Sequence, residues 1–139
     1  MPDSQQTDIM GELASAKKVI FAQEQDLPWV RLAELPGFGG TDIPGVSGKL
    51  FGDPETGPWF YLIRHDPGTV VARHAHDGNV IHYLVGGEWK LGSRTVKPGW
   101  FHYEKKDIFY GPIVSGESGS TFFAIYDHAP GFKTKDFSG

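Results

Sequence analysis

A chain of 139 residues with 39% hydrophobic and 14% aromatic content is long enough for one core and too short for two, so a single domain is expected. Its 13 basic and 17 acidic residues give a net charge of -4. The basic ones (Lys17, Lys18, Arg31, Lys49, Arg64, Arg73 and Arg94 among them) form no stripe that would neutralise phosphates, so no nucleic-acid partner is expected.

The first 18 residues, MPDSQQTDIMGELASAKK, are polar and small with weak helical character from Asp8 to Lys18, and read as an N-terminal arm, loose or laid on a partner subunit. They lack the basic start and apolar run of a signal peptide. No stretch reaches the roughly 18 apolar residues of a membrane span, so a cytoplasmic protein without a membrane partner is expected.

From Val19 to His128, glycine and proline recur every few residues, and the runs between them are β-branched and aromatic. The spacing predicts strands at Val19 to Ala22, Trp29 to Leu32, Gly48 to Gly52, Trp59 to His65, Thr69 to His76, Val80 to Val85, Glu88 to Leu91, Arg94 to Lys97, Trp100 to Glu104 and Ser120 to Asp127. Asp77-Gly78, Gly86-Gly87, Gly92-Ser93, Pro98-Gly99 and Ser118-Gly119 supply turn chemistry between them. Many short strands at hairpin spacing mean an all-β sandwich or closed barrel over residues 19–128. Residues 129–139 read as a C-terminal tail with Phe132 and Phe137 as anchors. A dinucleotide fingerprint, a phosphate loop and a nucleophile elbow are all missing.

The chain has no cysteine, so metal chemistry would rest on imidazole and oxygen. Six histidines occur, at 65, 74, 76, 82, 102 and 128. His74 and His76 lie two apart on a predicted strand, so both project from one face, with the small Ala72 beside them. Two imidazoles on one face suit one divalent metal ion, with further ligands from other strands or solvent. The bland alternative is a pair that is exposed, or hydrogen-bonded in a core without metal. Asp77-Gly78 is expected to return the chain as an antiparallel hairpin, bringing His82 to the same cavity. His65, before a turn, and His128, at the start of the tail, are expected to be exposed.

Pro67-Gly68-Thr69, His74-Ala75-His76 and Tyr83-Leu84-Val85-Gly86-Gly87-Glu88 together resemble the first motif of the cupin superfamily, G(x)5HxH(x)3-4E(x)6G. Pro98-Gly99, Trp100 to Tyr103 and Tyr110-Gly111-Pro112 resemble the second. The resemblance covers roughly residues 45–127 and implies a cupin (jelly-roll) antiparallel β-barrel. Two departures stand out. The usual carboxylate of the first motif falls on Val80, and the usual histidine of the second falls on Tyr110.

His74, His76 and His82 are therefore the candidate metal ligands, although a residue along a strand from its neighbour by two sits about 6 to 7 Å away, so His82 would need a bulge to join the set. Its alternative role is a buried histidine hydrogen-bonded to a neighbour such as Tyr110. Tyr110 and His82 are the candidate catalytic residues, and Tyr61, Trp89, His102 and Tyr110 the candidate substrate pocket. For most aromatics, including Trp59, Trp100 and Phe109, ordinary core packing is the simpler reading.

The ion would be Fe, Zn, Ni or Mn. The resemblance implies a dioxygenase-type cleavage of a small diketone or aryl ketone-like molecule. Two other classes fit the same residues: a cupin that binds or senses a metal or small molecule, and a metal-free isomerase or lyase. A homodimer is expected because a small barrel has sheet edges to protect.

Overall fold

The computed structural model describes residues 19–134. The expected arm at 1–18 and the expected anchor Phe137 lie outside the described residues.

Eight antiparallel strands form one sheet system: β1 (Val30–Arg31), β2 (Val46–Leu50), β3 (Trp59–His65), β4 (Val70–Val71), β5 (Val80–Leu91), β6 (Arg94–Val96), β7 (Phe101–Glu104) and β8 (Ile113–Tyr126). The order is β1-β2-β3-β8-β5-β6, with β4 added to β8 and β7 added to β5, so the sheet is jelly-roll-like and not closed. The only helical pieces among the described residues are two single 3-10 turns, Glu24–Asp26 and Leu32–Glu34. No helix among the described residues is long and apolar enough to cross a membrane.

Strand β3 coincides with its predicted run. WFYLIRH alternates so that Trp59, Tyr61, Ile63 and His65 all turn inward. His65 is thus buried, not exposed, because the alternation carries through to the last residue of the strand.

The long strands β5 and β8 differ from expectation. Gly86-Gly87 and Ser118-Gly119 do not reverse the chain; they lie inside strands, where bulges shift the register between Leu84 and Gly86 and between Gly87 and Trp89. The physical reason is close approach: a Cβ on Gly87, whose φ is +70°, would run into the carbonyl oxygen of Gly119. The bulges also switch parity. Inward residues are 82 and 84 before the bend in β5 and 89 after it.

The predicted strand at Val19 to Ala22 does not form; this stretch has no sheet partner, and Phe21 is 88% exposed. Nor does the His74–His76 segment form a hairpin with β5 through Asp77-Gly78. Strand β4 ends at Val71, and the segment beyond it pairs elsewhere: His74 bridges Tyr110, and Ala75 bridges Lys133. Strand β5 spends its hydrogen bonds on β6, β7 and β8. The tail is therefore part of the fold. Asp77 N donates to Pro130 O at 2.7 Å, and Gly131 N donates to Gly37 O at 2.7 Å.

A cavity of about 50 Å³ opens inside the fold, lined by His65, His74, His76 and His82 together with aromatic and aliphatic side chains.

Candidate metal centre and cavity

His74 and His76 are 3% and 4% exposed, and their ring centroids stand 4.8 Å apart. Each ring is fixed by the main chain. His74 Nδ1 donates to Ala72 O at 2.7 Å, and His76 Nδ1 donates to Gly131 O at 2.9 Å. A carbonyl oxygen only accepts, so each Nδ1 carries the proton and each neutral ring keeps its lone pair on Nε2. This is the arrangement of metal-binding histidines, whose second nitrogen is held by a carbonyl or carboxylate. The donor set therefore fits a divalent ion at this pair.

Electrostatics favour the same form. Burial pushes the His74 pKa down to about 4, with the neighbouring His76 imidazole adding to the effect, and burial lowers that of His76 as well. Both shifts favour the neutral ring that ligation requires.

Aromatic rings pack around the pair. Phe132 from the tail stacks on His74 at 4.4 Å and 18°, and Tyr126 stands 5.1 Å from His76. Tyr110 lies 4.7 Å from His74, held by the two hydrogen bonds of their bridge, 2.9 Å each. Burial pushes the Tyr110 and Tyr126 hydroxyls well above the usual phenol range, so both stay protonated.

His82 enters the cavity from β5 and is not brought to the pair. Among the described residues, no three His, Asp or Glu side chains converge on one metal position. His82 instead meets its sheet partner His102: the ring centroids lie 5.4 Å apart with planes 18° from parallel, and the two Nδ1 atoms are 3.3 Å apart. His102 Nε2 lies 2.6 Å from Glu104 Oε1. Burial depresses the pKa of His82 well below its usual value, reinforced by His102 and by the imidazoles of His76, His74 and His65.

The remaining candidates separate. Trp89 and Tyr110 line the cavity, whereas Tyr61 donates its hydroxyl to Pro36 O at 2.6 Å and packs against Phe38 and Tyr126. Trp89 Nε1 is the one buried side-chain donor without an acceptor among the described residues. His65 lies in the cavity lining, its Nδ1 3.3 Å from Ser115 Oγ, which in turn bonds Ser120 Oγ at 2.9 Å. Burial pushes the His65 pKa down to about 4. His128 is exposed, as expected.

Three contributors escaped the sequence reading. Glu104 was legible in principle, since Phe101–Glu104 alternates and puts His102 and Glu104 on one face. The carbonyls of Ala72 and Gly131 carry no signal in a residue type.

Residues 17–130 match the family described as the ChrR cupin-like domain. Among solved structures, the chain is similar to the polyketide cyclase RemF from Streptomyces resistomycificus, at 15% identity over 86% of this chain and 87% of that one, with a TM-score of 0.65. It is similar to KdgF from Halomonas sp., at 18% identity over 86% and 97%, with a TM-score of 0.62. An acetylacetone dioxygenase from Acinetobacter johnsonii matches at 19% identity over 80% and 74%, with a TM-score of 0.58. At these identities the likeness is one of fold. No curated protein matches the chain.

Proposed function

The chain belongs to the cupin superfamily, in the family of ChrR cupin-like domains, and from that premise we propose that it is a metal-dependent enzyme performing dioxygenase-type cleavage of a small diketone or aryl ketone-like substrate. The observation that carries the reading is the His74 and His76 pair, neutral and oriented so that both Nε2 lone pairs remain for an ion. Imidazole donors with open positions suit Fe, Zn, Ni or Mn. When bound, such an ion supplies Lewis acidity toward a carbonyl or enolate and, for iron, redox capacity.

The chain's own residues supply the rest. Tyr110 keeps its proton and donates a hydrogen bond where negative charge develops on a substrate oxygen. Trp89 Nε1 is a second donor on the cavity lining that lacks an acceptor. Aliphatic side chains such as Leu32, Ile63 and Val71 exclude water from the reacting centre. A cavity of about 50 Å³ matches the volume of a few water molecules, which favours a small substrate. The acetylacetone dioxygenase among the fold neighbours motivates the choice of diketone.

Protein purified without an affinity tag tests the reading through metal analysis and through oxygen uptake with acetylacetone as probe. About one ion per chain and uptake that a chelator abolishes are expected. A His74→Ala protein with a full metal complement would overturn the site, and reconstituted protein inert toward acetylacetone and aryl diketones would overturn the reaction. A second reading, acid–base isomerase or lyase chemistry without metal, draws on the His82–His102–Glu104 contacts and predicts activity that survives the chelator. The homodimer proposal draws support from the outward Phe101 and Tyr103 on β7, both exposed, and light scattering checks it.

A further inference from the structure

The second histidine cluster of the cavity has its own proton logic. Glu104 Oε1 lies 2.6 Å from His102 Nε2, and a carboxylate only accepts, so His102 Nε2 carries a proton. In neutral His102 the Nδ1 is then bare, and it accepts from the Nδ1–H of His82 across 3.3 Å. That leaves His82 with a bare Nε2 on a ring that lines the cavity. A carboxylate outside the cavity lining thus sets, through one imidazole, which nitrogen of a second imidazole is basic.

His82 is buried, and burial opposes a positive charge there. The groups around it sharpen this: Trp89 on its own strand, Phe122 from β8, Tyr110, and the imidazoles of His65, His74 and His76 offer no negative charge. His102 and Glu104 are less enclosed, with side chains 17% and 16% exposed.

We infer that His82, His102 and Glu104 form a proton relay that serves the cavity. His82 Nε2 takes a proton from a substrate C–H or O–H next to a carbonyl, and the electron pair of that bond stays on the substrate as an enolate or alkoxide. In the same event the Nδ1 proton of His82 passes to His102 Nδ1. One N–H bond forms and one breaks at His82, and one forms at His102. The imidazolium then resides on His102, beside the Glu104 carboxylate, while His82 remains neutral with its tautomer inverted. His82 is the catalytic residue; His102 and Glu104 position it and hold the proton.

The inference rests on the cavity being a reaction site, and its test needs neither metal nor substrate. In the metal-free full-length chain labelled with 15N-histidine, long-range 1H–15N correlations report which ring nitrogens are protonated. Near neutral pH, His82 is expected as Nδ1–H with a bare Nε2, and His102 as Nε2–H with a bare Nδ1. Glu104→Leu removes the acceptor that fixes His102 Nε2–H, so both rings should lose their single tautomer and show mixed Nδ1–H and Nε2–H populations. His102→Phe removes the acceptor for His82 Nδ1–H and should leave the His82 ring a mixture as well. Wild-type His82 carrying Nε2–H at neutral pH overturns the relay, as does a Glu104→Leu protein whose tautomers are unchanged. Metal binding at His74 and His76 is measured separately, so failure of the relay is distinguishable from failure of the metal site.

Discussion

The cavity presents imidazoles in two ways. His74 and His76 are oriented by main-chain carbonyls, which no substitution at those carbonyl positions deletes. His82 is oriented by a side chain, His102, itself oriented by another, Glu104. A ring held by a carbonyl has one neutral tautomer, whereas a ring held by a second imidazole has two, selected by a proton. The first arrangement suits a constant donor to a metal ion; the second suits proton transfer.

The sharpest test of that contrast is substitution on each side. His74→Ala or His76→Ala should weaken metal binding by more than about a hundredfold, measured by competition with a chromophoric chelator, while circular dichroism stays unchanged. His82→Ala should retain metal and lose activity. Equal loss of metal in all three would erase the distinction.

Acid is the next probe. His65 and His74 bind a proton near pH 4 when folded, against a usual value of 6.5, so between those values the unfolded chain holds more protons. Stability of the metal-free protein should be full above about pH 6.5 and decline as pH falls toward 4, by roughly 3 kcal/mol for each of the two. Urea midpoints across that range check it. A flat profile would mean these rings are not buried as neutral groups.

A smaller effect is expected from Phe132→Ala, which removes the ring stacked on His74 without touching the relay. The cost should be about 1 to 3 kcal/mol in denaturant unfolding, below the full Phe→Ala range because the ring is only half-buried. Metal affinity should fall with it, and the 15N signature of His82 should not move. Smallest for binding is Tyr110→Phe: metal occupancy should stay the same, with turnover of a diketone probe reduced by about tenfold or more.

How much was legible follows the same divide. The pairing of His74 with His76 came from a spacing of two, and the structure keeps both on one face although the strand beneath them is broken. The displacement of the second-motif position onto Tyr110 was readable, and the bridge puts that residue directly across from His74. What periodicity missed was β5 as one strand, because a bulge at Gly86 and Gly87 resets parity while the same glycines mimic a turn. His65 was misjudged at a strand end where alternation should have been carried one step further. Phe132 was readable as an anchor of the tail, but the tail's hold on His76 was not, because it is made by a carbonyl.

That carbonyl has a consequence for how the site comes into being. Gly131 lies 55 residues beyond His76, whose ring it orients. On the ribosome both histidines emerge long before the strand β8 and the tail that complete their surroundings. Ala75 cannot find its bridge partner Lys133 until then. Under the proposed metal reading, the donor pair would be ordered, and loaded, only after chain completion through residue 133.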